Sequence, residues 1–270
     1  MLDIDWNPIV FQLGTFEVRW YGVMVVLAVI AVIGIALLEA KRRGFSQDMI
    51  WDVGLWGVIG GIIGARLLHI IDKWNYYVSH PDQLINFAGL AIWGAVLGAL
   101  AAMIIYCRVK KISFWELGDI IAPGAILGQA IGRVGCLVNG CCYGLTCDLP
   151  IAVFYQNPDS YAPHGVPLYP TQIFHIIWNL IGFVLLWLLR KRMKPQGALF
   201  FLWLIYFSIG DFIIHLYREG DIFLFNLQQA QAVDVGIVVV AAALWVMRIV
   251  MSRKPAQPAE VNTNGQNPEG

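Results

Sequence analysis

Residues 198–216 read ALFFLWLIYFSIGDFIIHL. A run of this length and character crosses a bilayer as a helix, which takes about 20 mostly apolar residues. Its only acidic or basic side chains apart from the Tyr206 phenol are Asp211 and His215. Similar runs lie at 20–38, 49–71, 87–106, 117–137, 171–189 and 233–251. The chain has 270 residues, of which 59% are hydrophobic and 13% charged. Soluble domains carry about 25% charged residues. The pattern therefore predicts an all-α integral membrane protein with about seven transmembrane helices. A formal net charge of zero implies no bulk attraction to nucleic acid.

Basic residues orient the spans. One set of connections holds Lys41–Arg43, Arg108, Lys110 and Lys111, Arg190–Arg192 with Lys194, and Arg248, Arg253 and Lys254. The alternate set holds only Arg19, Lys73 and Arg218. The basic side is expected to be cytoplasmic. The N-terminus is then outside, the C-terminus is cytoplasmic, and a small exterior head lies between the fourth and fifth spans. The division is an exterior arm at 1–19, spans at 20–137, the head at 138–170, spans at 171–251 and a disordered cytoplasmic tail at 252–270. The arm lacks the basic start and apolar core of a signal peptide and is expected along the membrane surface. Ser46 is expected to cap the second span. Ser113 and Glu116 read as a capping box opening the fourth.

With that orientation, unusual residues of six spans fall at one depth, near the outer face. They are Tyr21, Arg66 and His69, Trp93, Arg133, Gln172 and His175, and Asp211, His215 and Arg218. Asp211, His215 and Arg218 follow an i, i+4, i+7 spacing, which is one helical face. Ionisable groups in a membrane are costly and usually meet a cavity or a partner. The plain alternative is glue between helices, with Arg133 pairing to Asp211. Arg66 and Arg133 together favour a pocket, because guanidinium forks suit phosphate and carboxylate. An anionic phospholipid headgroup is the expected ligand. There is no nucleotide loop, no His-Glu-x-x-His and no Gly-x-Ser-x-Gly. No cofactor or metal is expected for the chemistry, so phosphate stabilisation would rest on arginine. Glycines 57, 60, 61 and 64, with 94 and 98 and with 124, 128 and 132, read as close helix contacts. Gly89 and Gly94 flank Trp93 and are candidate pocket residues. Four of the five cysteines, Cys136, Cys141, Cys142 and Cys147, cluster after the fourth span. A structural disulfide, free thiols, and a redox or metal role all stay open.

Residues 132–144, GRVGCLVNGCCYG, resemble the signature of the bacterial prolipoprotein diacylglyceryl transferases. In family order, so do RWYGVM at 19–24, GARL at 64–67, DIIAP at 119–123, YPTQ at 169–172 and YREGD at 217–221. The resemblance covers about residues 6–250. It implies seven helices, an exterior N-terminus and an exterior head. The implied activity transfers the diacylglyceryl group of phosphatidylglycerol to the lipobox cysteine thiol of a prolipoprotein, releasing glycerol phosphate. The setting is the bacterial inner membrane, and the partners are phosphatidylglycerol, the prolipoprotein signal peptide and the bilayer. The resemblance implies Arg133 on the lipid phosphate, Tyr21 and Asn139 in the pocket, Gly144 in the loop above it and Arg218 near the entrance. The shared outer layer of the spans supplies the other candidates: His175 or His215 as the catalytic base, Trp93 as a catalytic-site residue that cannot itself be a general base, and Arg66, Gln172 and Asp211 as substrate-binding residues. The chain also departs from the family. Trp93-Gly94-Ala95 stands where many members have His-Gly-Gly. Cys136 and Cys141 replace Asn and Glu, Asp211 and His215 replace Arg and Glu, and His175 replaces Glu. Two rivals remain: a membrane thiol-disulfide oxidoreductase using Cys136–Cys147, and a lipid-binding or transport protein.

Overall fold

The computed structural model describes residues 2–14, 16–80, 91–220, 222–224 and 226–253. Seven helices in it are long and apolar enough to cross a membrane. They are α1 (Trp20–Arg43), α2 (Gln47–Asp72), α4 (Ile92–Lys110), α5 (Phe114–Asn139), α6 (Thr171–Leu189), α7 (Ala198–His215) and α8 (Gln229–Arg253). The short helix α3 (Trp74–Ser79) follows α2 and is too brief to stand out in hydropathy. The tail expected to be disordered lies, from residue 254 on, outside the described residues, as does Gly89.

The helices divide by how they are packed. Half of the most apolar window of α5 is buried, against 6% for α1 and for α8. α5 is the central helix, in contact with α1, α6 and α7. Large apolar side chains such as Ile30, Ile62, Leu97, Leu188 and Val239 face outward instead. That outward apolar surface is stable only in hydrocarbon. α2 packs chiefly on α4, backbone against backbone. A Cβ on Gly64 would collide with the Gly94 carbonyl, and one on Gly98 would lie 2.9 Å from Gly64 Cα. Gly94 therefore serves helix contact.

Helix ends follow local chemistry. Ser46 caps α2 as expected, its Oγ accepting from Met49 N–H at 3.3 Å. Ser113 precedes α5 but makes no side-chain cap bond, so the expected capping box does not form. Glu116 instead accepts from Gln196 Nε2 at 3.1 Å. Asp119 reaches across to the start of α7, accepting from Gly197 N–H at 2.9 Å and Phe200 N–H at 3.0 Å. It satisfies donors that a helix start otherwise leaves bare.

The N-terminal arm does more than lie on a surface. β1 (Leu2–Ile4) pairs in parallel with β4 (Val153–Tyr155), the head's own strand. Ile4 joins Val153, Tyr155, Ala162 and Leu168 in a small core. β2 (Ile9–Leu13) and β3 (Phe16–Arg19) form a hairpin that runs into α1. Arg19 clasps arm to head. It donates to the Asp159 carbonyl at 3.0 Å and lies 4.5 Å from the Tyr161 ring centre. A last hairpin, β5 (Ile222–Leu224) with β6 (Leu227–Gln228), joins α7 to α8.

Candidate functional site

At the head end of the bundle, α5, α6 and α7 bring four expected residues together around one carboxylate. Asp211 Oδ1 lies 3.6 Å from Arg133 Nη2 and 3.6 Å from His175 Nε2. Asp211 Oδ2 lies 3.1 Å from His215 Nδ1, which is also 2.8 Å from the Asp211 carbonyl. Arg218 Nη1 closes the chain at 3.3 Å from His215 Nε2. The plain expectation of an Arg133–Asp211 pair is met as far as distance goes. Yet 3.6 Å is ion-pair rather than hydrogen-bond separation. Asp211 Oδ1, His175 Nε2 and Arg218 Nε are all buried without a hydrogen-bond partner among the described residues. Buried polar atoms are nearly always satisfied, and a cluster of exceptions calls for an explanation.

Arg218 also lines a cavity of ≈ 460 Å³ together with Cys142, Tyr143, Gly144, Leu145, Thr146, Pro163, Leu168 and Glu219. Gly144 is needed there by packing: a Cβ would lie 2.6 Å from Tyr169 Cβ and 2.7 Å from the Tyr217 carbonyl. Gln172 is 1% exposed and donates to the Cys141 carbonyl at 2.8 Å. That bond holds the loop after α5 in place. Asn139 ends α5, with Oδ1 3.5 Å from Arg19 Nη1. Tyr21 is half-buried on α1, facing Cys136, Cys141, Cys142 and Arg133. Tyr155, in the head, donates to the Leu137 carbonyl at 3.0 Å, and burial pushes its phenol up.

Two expected residues have other surroundings. The Arg66 guanidinium sits 5.1 Å from the Tyr77 ring centre, on the α2–α3 side, whereas Arg133 meets Asp211. Trp93 is 50% exposed at the start of α4. The structure thus assembles Arg133, His175, Asp211, His215 and Arg218 around one carboxylate, and sets Arg66 and Trp93 on the α2 and α4 side.

Asp234 joins the site although no motif or spacing singles it out. It is 4% exposed at the start of α8, and its carboxyl interacts with Asp211 and Ser208. Ligand atoms of Asp211, His215 and Asp234 lie within 4.8 Å of one another. Both His215 ring nitrogens are already engaged and two guanidiniums flank the group, which opposes a dication there. A lone Asp near the start of an otherwise apolar span was the available signal.

All five cysteines are free thiols. Cys136, Cys141 and Cys142 have sulfurs within 4.8 Å of one another. The adjoining Cys136 and Cys141 sulfurs, with Arg133 and Arg218 behind them, hold the Cys142 thiol well below the ordinary thiol range despite burial.

Comparison with known proteins bears on the whole chain. The family model for prolipoprotein diacylglyceryl transferase matches residues 8–247. A phosphatidylglycerol–prolipoprotein diacylglyceryl transferase of Dehalococcoides mccartyi is 37% identical over 264 residues, covering 97% of this chain and 100% of that protein. A protein of that name from Bacillus licheniformis is 37% identical over 255 residues, with 92% and 94% covered. One from Listeria welshimeri is 32% identical over 255 residues, with 92% of each covered. At this identity over nearly the full length, the chain belongs to the prolipoprotein diacylglyceryl transferase family.

Proposed function

We propose that this protein transfers the diacylglyceryl group of phosphatidylglycerol to the lipobox cysteine of a prolipoprotein in the bacterial inner membrane. The observation that carries the reading beyond family membership is the unsatisfied polar cluster around Asp211, beside the Arg218 cavity. In the reaction the thiol S–H and the glyceryl C–O bond break and the S–C bond forms. Glycerol phosphate leaves, and the thiol proton passes to a base. Arg133 binds the phosphodiester and stabilises charge gathering on the departing phosphate. Arg218, steadied by His215, supports the same charge from the cavity side. His175 is the favoured base, because its Nε2 makes no hydrogen bond among the described residues while both nitrogens of His215 do. A thiol has an unperturbed pKa of about 8.5, so a base speeds its attack at neutral pH. Tyr21, Asn139, Gly144 and Gln172 shape the pocket, and Asp211 holds Arg133 and the two histidines in register. Arg66 and Trp93 take outlying parts on the α2 and α4 side. The basic end of the bundle is cytoplasmic, so lipid and peptide meet at the outer face.

The test is to supply purified protein with phosphatidylglycerol and a lipobox peptide and follow the thioether product by mass spectrometry. Product formation is expected. No product, with a relative active alongside, rejects the reading. Replacing Cys136, Cys141, Cys142 and Cys147 together separates the rival: a thiol oxidoreductase dies, whereas the transferase keeps its turnover per folded molecule.

A further inference from the structure

The transfer chemistry leaves the thiol cluster unused. Its geometry comes from the end of α5. Gly140, at φ 69°, ends the helix with its N–H turned back to the Cys136 and Leu137 carbonyls. Cys141 N–H then bonds the Cys136 carbonyl at 3.1 Å, and Cys142 takes a left-handed φ of 59°. The chain folds over the helix end and gathers three sulfurs, Cys136, Cys141 and Cys142, within 4.8 Å of one another. Cys147 is a free thiol that does not belong to this group. Three thiolates at about 2.3 Å from a central ion lie about 4 Å apart in a trigonal plane. The sulfurs therefore need to move by less than about 1 Å to close on an ion.

We propose that Cys136, Cys141 and Cys142 form a three-thiolate site for a thiophilic d10 metal ion, with Cu(I) the best match. Soft thiolates select Cu(I), and three sulfurs without a fourth protein ligand suit it better than Zn2+, which takes four. Electrostatics agree. Three thiolates around a monovalent cation carry excess negative charge, and Arg133 and Arg218 are the cations acting on Cys142. Access is through the cavity, which Cys142 lines. No step of the lipid transfer passes through the sulfurs, although the two sites share Arg133, Arg218 and the cavity.

The experiment titrates the reduced, full-length protein in detergent, under nitrogen, with Cu(I) held by a chromophoric chelator. One Cu(I) per chain is expected to leave the chelator. Each of Cys136→Ser, Cys141→Ser and Cys142→Ser is expected to weaken retention at least about tenfold. Cys107→Ser and Cys147→Ser should retain the full equivalent. Bound Cu(I) should also shield Cys142 from alkylation in the unmutated protein, a readout that needs no variant to fold. The proposal is overturned if the reduced protein withdraws no Cu(I), or if the triple serine variant binds as well as the parent. None of these readouts uses transferase activity.

Discussion

Two buried ionic clusters sit at opposite ends of this bundle, and they differ in how well they are satisfied. At the basic end, Glu39 is 1% exposed, and both its carboxylate oxygens are taken. Arg42 donates to each of them, Arg43 donates to Oε1 at 3.2 Å, and Arg190 stands 3.5 Å from Oε2. Nearby Asp119 has one backbone donor on each oxygen. At the head end, Asp211 Oδ1 has guanidinium and imidazole neighbours at 3.6 Å but no hydrogen bond. Both clusters contain arginine and carboxylate at helix ends. The first has its carboxylates fully paired and joins α1, α5, α6 and α7. The second leaves Asp211 Oδ1, His175 Nε2 and Arg218 Nε without a hydrogen bond among the described residues. Saturation of the carboxylate oxygens, rather than of every polar atom, separates the two clusters, since Arg190 Nε at the basic end also lacks a hydrogen bond among the described residues.

Several substitutions sharpen or break that contrast. Arg133→Ala should cut the transfer rate about 10²- to 10³-fold, the usual loss for a charge-stabilising donor. Its melting temperature should stay close to the parent's, checked by a thermal shift in detergent. Glu39→Ala should do the reverse. Leaving three arginines without their carboxylate costs about 3 kcal/mol, seen as a lower melting temperature and yield, while turnover per folded molecule holds. If Glu39→Ala abolished turnover in well-folded protein, the structural assignment of the basic end would fail. His175→Gln should slow transfer about 10²-fold with little effect on lipid affinity; steady-state kinetics in both substrates distinguish rate from affinity. Gly98→Val drives a side chain into the Gly60 carbonyl and should cost about 1–3 kcal/mol. Asp119→Ala removes the cap on α7 and should cost about 1 kcal/mol, the smallest effect of the set.

Hydropathy and charge placement make the seven spans legible in the sequence, and the span at 171–189 matches α6 (Thr171–Leu189) end for end. Helices elsewhere extend a few residues past the apolar run, as at Lys41–Arg43 and Gln47–Asp48, because polar residues at bilayer edges still satisfy helical hydrogen bonds. The shared face of Asp211, His215 and Arg218 is visible as spacing along one helix. What spacing along single helices does not carry is which helices meet. Arg66 and Arg133 are expected at one depth from their places in the spans, while the glycine seam draws α2 to α4 and α5 is held by α1 and α6. Asp234 does not stand out because its role depends on α7 lying beside α8. The return of the arm to the head likewise rests on a strand of three residues, Leu2–Ile4, too short to show a period.

The most direct test of the central claim is phosphatidylglycerol retention by the purified protein, read by native mass spectrometry in the parent, Arg133→Ala and Glu39→Ala. The account predicts that Arg133→Ala retains the lipid at least about tenfold less well, since a charge-assisted contact to phosphate is worth about 1.5–3 kcal/mol. It also predicts that folded Glu39→Ala matches the parent. Equal retention by Arg133→Ala and the parent would contradict it.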